Sequence, residues 1–388
     1  MTVPVKRIRE IAEVIMGTSP KGHTYNHAGE GMPLLNGPTT FGESHPECSL
    51  YTTASVKECK PGDLIFCVRG STTGRMNWAD KAYSLGRGVC AIRGDTGLGT
   101  KFIRYCLEYR LPALLQLAGG TTFPNLPQDT IKDFEVPFPS SHKEIASTLS
   151  AYDDLIENNQ RRIALLEQAA RLLYQEWFVR LRFPGHEHVR IVDGVPEGWE
   201  KTQIEDVVEF LGRGITPKYD DEASGIVINQ KCIRNRLVNL GLARRQSREV
   251  PKDRLVRFGD VLVNSTGEGT LGRVAQFLDE IENCTVDSHV TIVRPARQIP
   301  MFFFGLSLGN LEEYLSTMGR GATNQSELSR TTIAQIPLVL PPTPLGKAFD
   351  DSAQASFLQI TNLLGQNKRL KEARDLLLPR LMNGEIAV

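Results

Sequence analysis

The sequence of 388 residues predicts an α+β protein: two similar strand-rich mixed α/β domains joined by two long helices. Three observations predict this architecture: an internal repeat, short apolar runs punctuated by Gly, Pro, Thr and Asn in each copy, and a long segment without Gly or Pro between them. The length favours two to three domains. A composition of 40% hydrophobic and 23% charged residues is typical of globular proteins.

The internal repeat consists of short motifs that recur in the same order at a slowly drifting offset. One such match is weak, but an ordered series is not expected by chance. The period is too long for a solenoid, so the sequence predicts two copies of one domain-plus-helix unit. The matched segments are GTSPK 17–21 with GITPK 214–218, PGDLIF 61–66 with FGDVLV 258–263, STTGR 71–75 with STGEGTLGR 265–273, VCAIR 89–93 with VTIVR 290–294, GGTTFPNL 119–126 with RGATNQSEL 320–328, and VPFP 136–139 with IPLVLPP 336–342.

The repeat sets the predicted domain boundaries. Each copy has a globular domain of short strands and one shorter helix, followed by one long helix. The predicted segments are a first globular domain at 1–142, a first long helix at 143–182, a linker at 183–197, a second globular domain at 198–342 and a second long helix at 343–388.

Apolar residues in the long helices alternate at spacings of three and four, which is typical of a coiled-coil seam. One asparagine in each seam would set the register. An antiparallel, pseudo-twofold pairing is favoured because the link between the helices is too short to run back along a helix of about 55 Å unless fully extended. The alternative is a pair of ordinary core helices. The predicted seam residues are Ile145, Leu149, Tyr152, Ile156, Asn159, Ile163, Leu166, Leu173, Ile360, Leu363, Asn367, Leu370 and Leu377.

The overall charge and the cysteines exclude several classes of protein. Lys+Arg and Asp+Glu both number 45, so any nucleic-acid binding must come from local patches. Seven cysteines without a Cys-x-x-Cys pair fit neither a zinc site nor a disulfide framework. The amino terminus lacks a signal-peptide layout and no apolar run approaches 18 residues, so we expect a cytoplasmic protein.

Catalytic motifs are missing from the sequence. It contains no P-loop, no Gly-x-Ser-x-Gly elbow and no Asn/Asp-Pro-Pro-aromatic tetrad of amino-methyltransferases. Glu58-Cys59-Lys60 has the Glu-x-Lys form of metal-dependent nucleases but lacks a well-placed upstream aspartate. His186-Glu187-His188 lies in the linker without a third ligand, which favours solvated residues over a metal site. We therefore predict no catalytic residues and no metal.

The repeated loops are rich in side chains that recognise nucleic acids. Asn and Gln bind adenine, Arg and Lys bind guanine, and Ser and Thr bind bases or phosphates. The alternative is that such loops only turn the chain. The predicted DNA-binding residues are Thr18, Lys21, Asn36, Arg69, Thr72, Arg75, Thr122 and Asn125 in the first copy, and Thr216, Lys218, Asn229, Lys231, Arg234, Arg236, Arg244, Arg245, Ser265, Thr266, Arg273, Thr323, Asn324 and Gln325 in the second.

One segment of the second copy is strongly basic. Residues 231–257 contain nine Lys and Arg residues against Glu249 and Asp253, a net charge of +7 in a chain that is neutral overall. This concentration predicts a surface that follows DNA phosphates. The alternative is a basic face neutralised by salt bridges.

The ordered motifs resemble the specificity subunits of type I restriction–modification enzymes, and the resemblance covers the whole chain. Besides the repeated Gly-x-Thr/Ser-Pro and Gly-Asp segments, it rests on LLYQEWFVRLRFPGHE at 172–187 and RDLLLPRLMNGEI at 374–386. It implies two target recognition domains, each reading half of a split, asymmetric DNA site, and a helical spacer that docks two modification (methyltransferase) subunits. It also implies that restriction subunits join the complex and that S-adenosylmethionine, ATP and Mg²⁺ act on partner subunits, so that this chain is not itself an enzyme.

Two other functions remain open at this point. The chain could be an interaction scaffold that carries two protein-binding domains on a coiled-coil spacer. It could also be a metal-dependent nuclease that uses Glu58 and Lys60. A steep fall of duplex affinity with salt would favour DNA binding over the scaffold.

Overall fold

The computed structural model describes residues 3–42, 44–119, 124–318 and 327–388. The chain divides into two compact units: unit 1 comprises Met1–Gln160 and Gly365–Val388, and unit 2 comprises Arg161–Leu364. The α-helices are α1 Gly97–Gln116, α2 Gln128–Asp133, α3 His142–Tyr174, α4 Met301–Asn310, α5 Glu312–Met318, α6 Arg330–Ala334 and α7 Thr343–Met382.

Unit 1 is built on an antiparallel sheet of order β2-β10-β7-β8 and a second sheet of order β3-β5-β4-β9-β6, in which β4 and β9 are parallel. β1 pairs with β11. The strands are β1 Val5–Arg7, β2 Ala12–Met16, β3 Tyr25–Asn26, β4 Met32–Leu35, β5 Tyr51–Thr52, β6 Glu58–Cys59, β7 Leu64–Cys67, β8 Met76–Trp78, β9 Tyr83–Leu85, β10 Val89–Gly94 and β11 Glu135–Pro137.

The apolar runs of β7 and β10 are continuous because both faces of these strands are buried. Leu64 and Phe66 contribute to the core that α1 covers, while Ile65 and Cys67 contribute to a second core with residues of β4 and β9. A strand with one solvated face would alternate apolar and polar residues instead.

Unit 2 repeats this arrangement. Its antiparallel sheet has the order β15-β23-β20-β21, and β16 pairs in parallel with β22 and antiparallel with β19. β14 pairs with β24, as β1 does with β11. The strands are β12 Ile191–Val192, β13 Val195–Pro196, β14 Glu200–Gln203, β15 Val208–Arg213, β16 Gly225–Ile228, β17 Ile233–Arg234, β18 Leu237–Val238, β19 Arg244–Gln246, β20 Val261–Asn264, β21 Val274–Gln276, β22 Cys284–Val286, β23 Val290–Pro295 and β24 Pro337–Leu340. The predicted internal repeat and fold class are therefore confirmed.

The repeated Gly-Asp motif and the repeated strand that ends in arginine are joined by the same ion pair in both units. In unit 1, Arg93 Nε and Nη2 each donate to the Asp63 carboxylate at 2.7 Å. In unit 2, Arg294 donates to Asp260 at 2.8 and 2.7 Å. The preceding glycine has a positive φ of 87° or 92°, a conformation that disfavours residues with a Cβ. In both units the ion pair ties the Gly-Asp turn to a central strand of the sheet, β10 or β23, which explains why both motifs recur.

The long helices pair antiparallel within unit 1. Asn159 Nδ2 donates to Asn367 Oδ1 at 2.9 Å, while Asp153, earlier in α3, binds Arg374, later in α7. α3 continues into a π-helical turn at Gln175–Val179. The predicted seam residues are buried at Ile145, Leu149, Ile156, Asn159, Ile163, Ile360, Leu363 and Asn367, and half-buried at Tyr152, Leu166, Leu173, Leu370 and Leu377.

Arg374 occupies the one seam position of α7 that the apolar pattern leaves empty. Its guanidinium binds Asp153, which also accepts a hydrogen bond from Tyr105 Oη of α1 at 2.6 Å. Arg104 of α1 lies 3.7 Å from the same carboxylate. This polar cluster ties both long helices to the globular part of unit 1. Sequence reasoning missed it because the partners are 48 to 221 residues apart.

Candidate nucleic-acid interface

The polar loops of unit 1 meet at one edge of the four-stranded sheet, where β2 and β7 end and β10 begins. Main-chain hydrogen bonds hold them: Gly17 N–H donates to Val89 O at 3.0 Å and Val68 N–H to Gly88 O at 3.0 Å. Leu126 N–H closes the edge by donating to Val68 O at 2.9 Å. We call this surface the loop edge of unit 1, made of residues 17–21, 36–38, 68–75, 86–88 and 124–126.

Most predicted DNA-binding side chains of the first copy lie on this edge. Arg69 is exposed, and its Nε donates to Asn125 Oδ1 at 3.1 Å. Arg75 lies over the Phe41 ring, 5.8 Å from its centroid. The others are Thr18, Lys21 and Asn36, which are exposed, and Thr72 and Asn125, which are half-buried.

Sequence reasoning missed Arg87 on the same edge. Its side chain is exposed, and its Nε donates to Ser19 Oγ at 3.2 Å. The signal was available, because Arg87 stands between two glycines directly before a repeated strand. Such a loop places a cation where its neighbours have no side chains.

Unit 2 builds the same edge with the same main-chain contacts. Gly214 N–H donates to Val290 O at 3.2 Å, Ser265 N–H to His289 O at 2.9 Å and Leu328 N–H to Ser265 O at 2.8 Å. We call this surface the loop edge of unit 2, made of residues 214–218, 229–231, 265–273, 287–289 and 327–328.

Three side chains form a hydrogen-bonded group on the loop edge of unit 2. Gln230 Nε2 lies 2.8 Å from Thr266 Oγ1, and Thr266 Oγ1 lies 2.8 Å from His289 Nδ1. His289 is exposed and was not among the predicted residues. Of the predicted residues, Thr216, Lys218 and Lys231 are exposed, and Asn229 and Arg273 are half-buried.

The predicted residues Arg234, Arg244 and Arg245 are exposed in the basic segment and not on the loop edge of unit 2. Ser265 and Arg236 pack against the protein. Ser265 is fully buried, and its hydroxyl lies 2.5 Å from Thr291 Oγ1. It follows the last residue of β20 and still points into the protein, as Val68 does in unit 1. Arg236 packs against Gly309 of α4, and its charge favours the ionised form of Glu167, whose pKa burial raises. Thr122, Thr323, Asn324 and Gln325 lie outside the described residues.

The basic segment 231–257 remains largely unneutralised. Arg244 stacks on Tyr219 with 3.5 Å between its guanidinium carbon and the ring centroid, and Arg245 donates to Ala223 O at 2.8 Å. Arg257 pairs with Glu209 at 3.1 Å. Within the described part of the chain, no carboxylate lies within 4.0 Å of the cationic groups of the exposed residues Lys231, Arg234, Arg244, Arg245 and Arg248. The positive electrostatic field of these side chains attracts a phosphate backbone.

Buried ionisable groups next to the loop edges are held neutral or satisfied by the main chain. Burial raises the pKa of Asp287, while the N–H groups of His289 and Val290 lower it. Burial also raises the pKa of the Cys67 thiol, which keeps it protonated rather than nucleophilic. These groups therefore offer no reactive centre.

The nuclease interpretation finds no support in the geometry. Burial raises the pKa of Cys59 to about 12, and the nearby Asp63 is held by Arg93. No group of three or more His, Cys, Asp or Glu residues suited to a metal ion occurs among the described residues. His186 to His188 form a short 3-10 turn. In the described ranges no helix is long and apolar enough to span a membrane.

The chain is similar in sequence to specificity subunits of type I restriction enzymes. Residues 2–168 match the family model described as the type I restriction modification DNA specificity domain. The chain is 25% identical to the type I restriction enzyme MjaIX specificity subunit of Methanocaldococcus jannaschii, covering 99% of this chain and 93% of that protein. It is 24% identical to the HindI specificity subunit of Haemophilus influenzae, covering 68% of this chain and 72% of that protein.

A solved structure shares the fold. The crystal structure of a type I restriction–modification system S subunit from M. genitalium matches with a TM-score of 0.59 at 18% identity, covering 97% of this chain and 95% of that one. At this identity the likeness concerns the fold alone, and it spans both units.

Proposed function

We propose that this chain is a specificity subunit of a type I restriction–modification enzyme and that its two units each read one half of a split duplex DNA site. The observation that carries this proposal is the duplicated loop edge: one scaffold presents hydrogen-bonding side chains twice. The side chains differ between the copies, so the two half-sites differ and the whole site is asymmetric.

The basic segment of unit 2 supplies the sequence-independent part of binding. Phosphate contacts release counterions and position a protein on the duplex, whereas base contacts specify the sequence. The exposed cations of residues 231–257 suit the first role and the loop edges suit the second. The two kinds of contact can therefore be separated by mutation.

The chain is a non-catalytic subunit of its complex. Adenine methylation with S-adenosylmethionine, and cleavage driven by ATP with Mg²⁺, belong to the modification and restriction subunits that join it. No residue of this chain is assigned to those cofactors. We expect the complex to act in the cytoplasm, where bacterial and archaeal DNA lies.

The spacer helices offer a docking surface for two modification subunits. Leu165, Leu172 and Val179 are 65%, 47% and 54% exposed. Leu165 and Leu172 are seven residues apart in α3 and therefore lie on one face of that helix, while Val179 ends the π-helical turn that follows. A helix of a modification subunit would cover this stripe. Replacing Leu165 and Leu172 by Glu should abolish co-purification of that subunit at this site.

We propose that the spacer also sets the distance between the half-sites. The 33 residues of α3 correspond to a helix of about 50 Å, which exceeds one duplex turn of about 34–36 Å. The half-sites should thus be separated by several unread base pairs. Inserting seven residues at matched positions of α3 and α7 should lengthen the unread spacer and leave the half-site bases unchanged; an unchanged spacer would contradict this role.

The reading of one half-site per unit is tested by exchanging residues 1–142 for the first globular domain of another specificity subunit. Methylated sites are then mapped in cells that contain the complete complex. One half of the methylated sequence should change while the other half and the spacer stay constant. A change in both halves would contradict independent reading by the two units.

A further inference from the structure

The loop edges of the two units can be matched residue by residue through their shared main-chain hydrogen bonds. Val68 N–H donates to Gly88 O in unit 1, and Ser265 N–H donates to His289 O in unit 2. The residue that follows each donor forms a β-bridge with the closing segment: Arg69 with Asn125, and Thr266 with Glu327. Arg69 therefore occupies the position of Thr266, and Gly88 that of His289.

A third position follows in the same way. Gly86 N–H donates to Leu35 O at 2.8 Å, and Asp287 N–H donates to Ile228 O at 2.9 Å. Each acceptor is followed by an asparagine, Asn36 in unit 1 and Asn229 in unit 2. The residues that come next, Gly37 and Gln230, therefore correspond.

These three positions have different contents in the two units. In unit 2 they hold Gln230, Thr266 and His289, whose side chains are hydrogen-bonded to one another. In unit 1 they hold a single arginine, with glycine at both other positions. Neither glycine has a side chain that could hydrogen-bond the Arg69 guanidinium.

Within the described ranges, the Arg69 guanidinium is held by a hydrogen bond at its Nε atom only. Its Nε donates to Asn125 Oδ1 at 3.1 Å, and the Asn125 main chain exchanges hydrogen bonds with Gly119 at 2.9 and 3.0 Å. Among the described residues no carboxylate lies within 4.0 Å of Arg69 and neither Nη group has a hydrogen-bond acceptor. The two Nη groups thus present parallel N–H donors outward from an exposed side chain.

Two further arginines, Arg75 and Arg87, lie on the same edge. Arg75 donates to Pro38 O at 3.4 Å and lies over Phe41, and Arg87 is held by the Ser19 hydroxyl. The Arg87 fork is also free at both Nη groups within the described residues. Arg69 is distinguished from it because its free fork is held by Asn125, with which it also forms a β-bridge, and because it occupies the position of Thr266. In the major groove, guanine presents two adjacent acceptors, N7 and O6, which match such a fork.

We infer that Arg69 reads a guanine in the half-site of unit 1, and that Asn125 positions its guanidinium. This inference rests on the proposed function, in which unit 1 reads one half-site. Arg69 is then a specificity-determining residue, and the position it shares with Thr266 is where the two half-sites are made different.

The test maps methylated sites in cells that contain the complete complex with wild-type chain, Arg69→Ala or Arg69→Gln. Arg69→Ala should lower discrimination at one G·C pair of one half-site by about 10- to 100-fold and leave the other positions unchanged. Arg69→Gln should shift the preference at that pair towards adenine, which glutamine binds bidentately. A new preference cannot result from misfolding.

Thr266→Ala is the matched control, because Thr266 occupies the same position in unit 2. It should leave the half-site altered by Arg69→Ala unchanged. Unaltered base preferences with both Arg69 variants, at wild-type levels of co-purified modification subunit, would overturn the role of Arg69. Failure of the wild-type complex to methylate any split site would instead overturn the proposed function.

Discussion

Unit 1 and unit 2 share a scaffold but carry opposite charge in the segment between the loop edge and the Gly-Asp turn. In unit 1 this segment, residues 36–60, has two lysines and three glutamates, a net charge of −1. In unit 2 the corresponding segment, residues 229–257, has nine basic and two acidic residues, a net charge of +7. The strand order of the main sheet is nevertheless the same.

This difference separates what the fold requires from what recognition requires. Both units keep the buried carboxylate–arginine pair and the main-chain contacts of the loop edge. They differ where side chains are exposed. We expect unit 1 to depend on a few directed base contacts, and unit 2 to add strong contacts to phosphates.

The largest expected effect concerns the shared ion pair, which is less solvated in unit 2. The side chains of Asp260 and Arg294 are 1% and 6% exposed, whereas Arg93 is 26% exposed beside Asp63. Asp260→Ala leaves a buried charge unpaired and should lower the free energy of unfolding by about 3–5 kcal/mol. Asp63→Ala should cost about 1–3 kcal/mol, because water reaches Arg93. Hydrogen exchange of β20 and β23, compared with β7 and β10, measures both losses.

A double variant provides the control for this difference. Asp260→Leu combined with Arg294→Leu removes both charges, and it should be less destabilising than Asp260→Ala alone. Equal losses for Asp260→Ala and Asp63→Ala would show that burial does not distinguish the two pairs.

The second prediction concerns the charge difference itself. Replacing Arg244, Arg245 and Arg248 by Gln should weaken binding of the complex to its duplex site by about 10- to 100-fold at moderate salt. The slope of log affinity against log salt should become shallower by about two to three, since each lost phosphate contact removes about 0.9. Fluorescence anisotropy over a salt series measures both quantities.

The matched control neutralises the lysines of the corresponding segment in unit 1. Lys57→Gln combined with Lys60→Gln should change the salt slope by less than about one, because this segment carries no net positive charge. A similar loss of slope in both variants would mean that the two units contribute equally to phosphate binding.

The third prediction concerns the contact between α3 and α7. Asn159→Leu removes the partner of the buried Asn367 amide, which should lower the free energy of unfolding by about 1–2 kcal/mol. Replacing both asparagines by Leu should recover that loss but weaken the register. Urea denaturation measures the stabilities; a double variant less stable than the single one would contradict the pairing.

The smallest expected effect is a difference in duplex affinity between variants of two arginines in the basic segment. Arg234 is exposed, whereas Arg236 packs on α4 near Glu167. Arg234→Gln should lower duplex affinity by about two- to fivefold. Arg236→Gln should change it less than twofold, measured in the same anisotropy assay. A larger loss for Arg236→Gln would place that side chain on DNA.

Much of the candidate interface could be predicted because the repeat marks its loops. Thr18, Arg69 and Arg75, which the repeated motifs predict, lie on the loop edge of unit 1. Ser265 was misjudged, since sequence periodicity does not show where a strand ends and its side chains leave the core. Arg87 and His289 were missed because neither belongs to a matched motif.

The duplication, the mixed α+β class and the apolar seam of the long helices can be derived from the amino-acid sequence, because each depends on a local period or on a motif that recurs along the chain. The folded structure was needed to show that the repeated Asp and Arg bind each other, that Arg374 enters the seam to bind Asp153, and that Arg69 corresponds to Thr266. These relations join residues that are far apart in sequence. Burial and hydrogen-bond geometry, which no local pattern encodes, select those partners.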